Sequence, residues 1–241
     1  MDNVTSLGVA RQDGRTGAVS RKEQPALAMR ADPRSAVAEA YRTLAANLLF
    51  ASSNANFDRG GQVVGVTSPG AGEGKSTTIA NLGIALAENG KRVVLVDADL
   101  RRPALHELFG LPNREGLTSL LLSEHAPLPL QETGTPGLRL LASGPLPPNP
   151  LEVLGSRRLE HALSLVRAQA DLVLVDTPPA AVLADAALLA PRLDGMLLVV
   201  SVGRTQRDLA KRAKEQLERT GSNVLGVVLI NVRESGKLYQ Y

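Results

Sequence analysis

The stretch Ser68-Pro69-Gly70-Ala71-Gly72-Glu73-Gly74-Lys75-Ser76-Thr77 holds the residue types that a polyphosphate needs. Glycines let backbone N–H groups wrap the β- and γ-phosphates, and a helix starting behind them points its own N–H groups at the anion. Lys75 supplies a point charge between β- and γ-oxygens, and Ser76 offers a hydroxyl to Mg²⁺. Candidate nucleotide contacts are Gly70, Ala71, Gly72, Glu73, Gly74, Lys75, Ser76 and Thr77, with Gly70, Gly72 and Gly74 expected at positive φ. The strict Walker A pattern Gly-x-x-x-x-Gly-Lys-Ser has Gly where this chain has Pro69. Proline donates no N–H, so the cradle begins one residue later.

Carboxylates complete such a site at the ends of neighbouring strands. Val93–Val96 runs into Asp97-Ala98-Asp99, with Arg101 and Arg102 next, and Leu172–Val175 runs into Asp176-Thr177-Pro178-Pro179. The second is a Walker B pattern, in which Asp176 is expected to hold Mg²⁺ or its water and to bond Ser76. Asp97 and Asp99 alternate on an extended segment and so point the same way. They could share the ion, or one could accept a proton from an attacking hydroxyl. Arg101 and Arg102 could serve the phosphate site or a subunit interface.

The elements that position these residues follow from apolar patterning. Val37, Tyr41, Leu44 and Leu48 form one helical stripe after Asp32-Pro33. Buried strands are expected at 62–67, 93–96, 172–175, 196–200 and 224–230, and a weaker one at 138–141. Helices are expected after the loop, ending at Asn89-Gly90, and near 157–169, 183–190 and 205–219, with a stiff proline loop at 143–150. Continuous apolar strands alternating with helices imply an α/β fold: a P-loop NTPase with a mostly parallel sheet and helices on both faces. Residues 1–31 lack periodicity and are expected to form a flexible arm before a domain spanning 32–232 and a tail spanning 233–241.

Bulk properties narrow the partners. The chain has 241 residues and a formal charge of +3, too small an excess to imply nucleic-acid binding. It has no Cys, which excludes disulfides and thiolate metal sites. No apolar run is long enough to span a membrane, and no secretion signal is expected at the start. A membrane role would come through a partner.

Taken together, Thr67-Ser68…Gly74-Lys75-Ser76-Thr77, Val96-Asp97-Ala98-Asp99-Leu100-Arg101-Arg102-Pro103 and Val175-Asp176-Thr177-Pro178-Pro179 resemble the bacterial tyrosine kinases of capsule and exopolysaccharide synthesis. The resemblance runs from about Asp32 to Val232 and includes Glu39-Ala40-Tyr41-Arg42-Thr43-Leu44, Ser143-Gly144-Pro145, Pro147-Pro148-Asn149-Pro150 and Asp194–Val200. It implies an ATP-dependent, cytoplasmic autokinase, peripheral at the inner face of the membrane. Its implied substrates are tail tyrosines, here Tyr239 and Tyr241, usually in a neighbouring subunit of a homo-oligomer. The implied partner is a membrane-embedded co-polymerase that activates the kinase. Carried over, Lys75 and Ser76 take the phosphate-loop roles, Asp97 and Asp99 the second acidic motif, and Asp176 the Walker B role. The expected mechanism makes Lys75, Asp97 and Asp99 catalytic, with Asp97 accepting the tyrosine proton. It gives Mg²⁺ to Ser76, Asp99 and Asp176, and takes Asn231 as the base contact. Glu39 and Arg42 match the family's subunit-contact helix, with Ala45 where a second Arg would stand. The fold relatives that place septa and partition plasmids offer the alternative, a nucleotide-dependent dimerisation switch that phosphorylates nothing. Those relatives carry a lysine where this chain has Gly70.

Overall fold

The computed structural model describes residues 6–10, 27–53, 61–123 and 126–232. In chain order these form β1 (Ser6–Ala10), α1 (Ala28–Ala31), α2 (Ala36–Ser53), β2 (Gln62–Thr67), α3 (Lys75–Glu88), β3 (Val93–Asp97), α4 (Leu105–Phe109) and α5 (Leu117–Leu122). There follow β4 (Gln131–Glu132), β5 (Leu138–Leu141), α6 (Pro150–Gly155), α7 (Arg158–Arg167), β6 (Leu172–Asp176), α8 (Asp185–Leu189), β7 (Gly195–Ser201), α9 (Arg207–Arg219) and β8 (Val224–Ile230).

The strands make one sheet in the order β1-β8-β7-β2-β6-β3-β5-β4. All neighbours are parallel except β4, which runs antiparallel to β5. Alternation along each strand feeds two cores. On one face Val64, Val66, Leu95, Leu174 and Leu197 pack with Leu44, Leu48, Ile79 and Leu82 of α2 and α3. On the other, Val63, Val94, Val96, Val173 and Val175 pack with Leu117, Leu159, Leu163, Val166 and Leu217. A strand covered on both faces has no polar side to show, which is why these runs are apolar throughout.

The order β2-β6-β3 brings three strand ends together at one edge. Val66 of β2 pairs in register with Asp176, and Asp176 pairs with Asp97 of β3. Two cross-bonds lock the ends. The Thr67 hydroxyl donates to the Pro178 carbonyl at 2.8 Å, and the Thr177 N–H donates to the Val66 carbonyl at 3.0 Å.

Two parts of the expected layout change. Part of the segment expected as a flexible arm is ordered. Ser6–Ala10 pairs with β8, supplying backbone partners to what would otherwise be an open sheet edge. Leu27 and Met29 are buried, and the Met29 N–H donates to Asn81 Oδ1 of α3 at 3.0 Å. Pro150 closes the expected proline loop by starting α6, where the Asn149 side chain accepts from the Glu152 N–H. The tail with Tyr239 and Tyr241, and the rest of the arm, lie outside the described residues.

Helix α2 buries Tyr41, Leu44, Ala45 and Leu48 completely. The position where the resemblance implies a second Arg is therefore core in this chain. Ala45→Arg should lower the unfolding free energy by about 3 kcal/mol or more, because it forces an unpaired charge into that core. Urea unfolding would show it, and an unchanged midpoint would contradict this packing.

Candidate active site

Helix α3 has no side-chain cap; its N-cap, Gly74, sits in the left-handed region at φ 75°, and Gly72 is at φ 70°. The N–H groups of the first turn are therefore free of side-chain acceptors and point out of the helix end, where its dipole favours an anion. Gly70 departs from expectation, for it is not at positive φ. Its smallness serves a close approach instead: a Cβ there would lie 3.2 Å from Glu73 Oε1, and its N–H donates to Glu73 Oε2 at 2.8 Å.

Lys75 is buried and points its ammonium into the strand ends. Nζ lies 2.8 Å from Asp99 Oδ2 and 3.3 Å from Asp176 Oδ1, and donates to Ser76 Oγ at 3.2 Å. Burial alone would lower this ammonium, but the Asp176 and Asp99 carboxylates outweigh it and hold its pKa above the ordinary lysine range. Asp176 is fully buried, and burial is the main cause of its raised pKa. Neither of its oxygens accepts a well-formed hydrogen bond. A buried carboxylate that meets only the Lys75 ammonium and the Ser76 hydroxyl, with no backbone donor, fits a hard cation, which takes oxygen ligands of this kind. Asp176, Asp99 and the Ser76 hydroxyl thus fit Mg²⁺ arriving with a triphosphate.

Asp97 is close by but differently used. It is fully buried; Oδ2 accepts the N–H groups of Ala104 and Leu105, both at 3.0 Å, and Oδ1 accepts the Asp99 N–H at 3.3 Å. The carboxylate expected to take the tyrosine proton therefore has both oxygens engaged. In this geometry it ties the turn carrying Asp99 to the start of α4. Asp99 in turn accepts the N–H groups of Arg101 and Arg102 through Oδ1.

The open space in front of these groups is a cavity of about 750 Å³, lined by Ala71 to Thr77, Asp99, Arg101, Arg102, Ala104, Glu107, Leu108, Pro179, Val182 and Leu183. That volume suits a small-molecule cofactor or substrate. Arg101 is held at the rim by Asp185, with Nε 3.0 Å from Oδ1. Asp185 is buried and comes from the start of α8, where nothing in the local sequence marks it as a partner of residue 101.

Other expected residues fall elsewhere. Asn231, at φ 57° just past β8, donates from Nδ2 to Ser201 Oγ at 2.9 Å and does not line the cavity. Glu39 and Arg42 form a 3.4 Å pair, but Arg42 also reaches Glu88 at 3.4 Å and the Pro33 carbonyl at 2.9 Å. Within the chain, Arg42 thus pins α2 to α3. Of the three tyrosines, Tyr41 has no exposed surface, and burial pushes its phenol up to about 12.

Asp97 gives the site a pH signature. Burial first, and then the Asp176 charge, push it up to about 8 from the ordinary 3.8, against the Leu105 N–H and Lys75. Between those values the folded chain keeps a proton that the unfolded chain has released, so stability falls as pH rises through this window and levels off above it. Urea midpoints of the ligand-free protein should therefore drop from about pH 5 to about pH 8. Asp97→Asn should reduce that slope, leaving the part that Asp176 contributes in the same direction.

Residues 64–240 match the family described as the CobQ/CobB/MinD/ParA nucleotide binding domain. The chain is 41% identical over 223 residues to tyrosine-protein kinase YwqD of Bacillus subtilis (strain 168), covering 92% of each chain. Its fold matches the crystal structure of the chimerical protein CapA2B2 with a TM-score of 0.84 and 33% identity, over 96% of each chain. It matches the kinase domain of Escherichia coli tyrosine kinase ETK with a TM-score of 0.83 and 27% identity, over 99% of this chain and 95% of that one. A phosphate loop, Asp99 and Asp176 around one lysine, and this likeness over nearly the whole length lead to one conclusion: the chain belongs to the bacterial tyrosine-protein kinases.

Proposed function

We propose that this kinase uses ATP to phosphorylate tyrosines of its own C-terminal tail, Tyr239 and Tyr241, and so regulates the synthesis and export of a capsular or extracellular polysaccharide. The observation that carries the chemistry is the buried Asp176 carboxylate against the Lys75 ammonium, while Lys75, Ser76 and Asp99 line a cavity rimmed by the phosphate loop. The choice of acceptor is supported by elimination, since Tyr41 is buried and only Tyr239 and Tyr241 remain.

The N–H groups of Ala71 to Thr77 would bind the phosphates, and Lys75 would neutralise charge on the β- and γ-oxygens. Mg²⁺, when bound, supplies further charge neutralisation at those oxygens; Ser76, Asp99 and Asp176 would hold it. Arg101, steadied by Asp185, offers a second cation on the cavity wall. Asp97 would act by fixing Asp99. A phenol with pKa near 10 loses its proton late in a loose transition state, so no strong base need touch it. Asn231 would contact the base only after giving up Ser201.

Among the described residues no helix is long and apolar enough to cross a membrane. Membrane association would thus run through a membrane-embedded co-polymerase that activates the kinase, with the tail reaching a neighbouring copy. Relatives matched over most of their length bear the name tyrosine-protein kinase, which favours transfer over a switch that only dimerises.

Incubation with γ-labelled ATP and Mg²⁺, with and without the activator, tests the reading. Label should map to Tyr239 or Tyr241, vanish in Lys75→Met, and be absent in the Tyr239→Phe/Tyr241→Phe double variant. ATP hydrolysis without phosphotyrosine under both conditions would support the switch instead.

A further inference from the structure

The phosphate loop contains a carboxylate, Glu73, in the middle of a cradle meant for anions. Left free, it would repel a phosphate or compete for the same N–H groups. It is instead 5% exposed, with each oxygen engaged. Oε2 accepts the Gly70 N–H at 2.8 Å. Oε1 accepts the hydroxyl of Thr205 at 2.7 Å, from a residue 132 positions away in the turn between β7 and α9.

The direction of that second bond is fixed. Thr205 Oγ1 already accepts the Ser201 N–H at 3.0 Å, so its own proton is left for Glu73. The same turn presses on the loop again, since a Cβ at Gly72 would meet Arg204 Nη2 at 3.1 Å. With Pro69 offering no N–H and Gly70 occupied by Glu73, the usable cradle is the run from Ala71 to Thr77.

We infer that Thr205 is a positioning residue of the nucleotide site: its hydroxyl holds Glu73 out of the phosphate cradle, so that the loop's own carboxylate does not occupy the place of a phosphate. The inference rests on the reading of residues 70–77 as a nucleotide site. It assigns the β7–α9 turn a part in nucleotide affinity that its distance in sequence conceals.

The test is equilibrium binding of a fluorescent ATP analogue with Mg²⁺ to the full chain. Thr205→Val, or Thr205→Ala should the valine variant fold poorly by thermal melting, should bind about tenfold more weakly, the scale of one hydrogen bond to a charged group. Thr205→Ser keeps the hydroxyl and should bind like wild type. The discriminating variant is Glu73→Gln combined with Thr205→Val. It still lacks the Thr205 hydroxyl but removes the charge, so binding should return to within about threefold of Glu73→Gln alone. Affinity of Thr205→Val and Thr205→Ala within twofold of wild type, or a double variant as weak as Thr205→Val, overturns the inference. Wild-type protein that binds no nucleotide overturns the site reading beneath it.

Discussion

Lys75 Nζ faces Asp99 at 2.8 Å and Asp176 at 3.3 Å in a place nearly closed to water, with Asp97 paired in register beside Asp176. Three carboxylates against one ammonium is a charge balance that a folded interior tolerates poorly. The chain meets it in different ways at each residue. Asp97 is bonded to three backbone N–H groups and Asp99 to two and to the ammonium, whereas Asp176 has no backbone donor and meets only the Lys75 ammonium and the Ser76 hydroxyl. The residual imbalance sits on Asp176, whose carboxylate would suit a divalent cation. Much of the surrounding structure serves to bring these groups together: the parallel strands, the order β2-β6-β3, and the cross-bonds from Thr67 and Thr177.

The phosphate loop depends on the same edge in another way. Its anion affinity comes from free N–H groups at the start of α3 and two glycines at positive φ, and its one liability is Glu73. The turn after β7 neutralises that liability through Thr205. Arg101 likewise takes its orientation from Asp185 on α8. Binding groups close in sequence are thus held by groups far away in it, so the site inherits its geometry from the sheet.

Much of this was legible beforehand. The loop and the strand-end aspartates announced themselves by residue type and spacing, and the two-sided apolar strands announced a parallel sheet. The shorter helices α4, α5 and α6 did not, because five or six residues give no measurable period. Strand β1 was hidden because its partner, β8, lies at the other end of the chain. Asp97 and Asp99 were correctly grouped, but alternation on a strand could not say that one caps a turn while the other lines the cavity. The helical spacing put Glu39 beside Arg42 but could not show that Arg42 also reaches Glu88 and Pro33.

The sequence by itself determined the candidates: the glycine loop and lysine suited to phosphate, the strand-end carboxylates suited to a cation, and parallel, buried strands, because these depend on residue type and on local periods of two and 3.6. Only the tertiary structure decided how those groups divide the work. That Asp176 lacks a backbone donor, Asp97 is engaged, Glu73 is bonded by Thr205 and Ala45 is core follows from contacts between segments distant in the chain. Hydrogen bonds and burial are made in space, and no local pattern along one strand or helix records which remote partner will fill them.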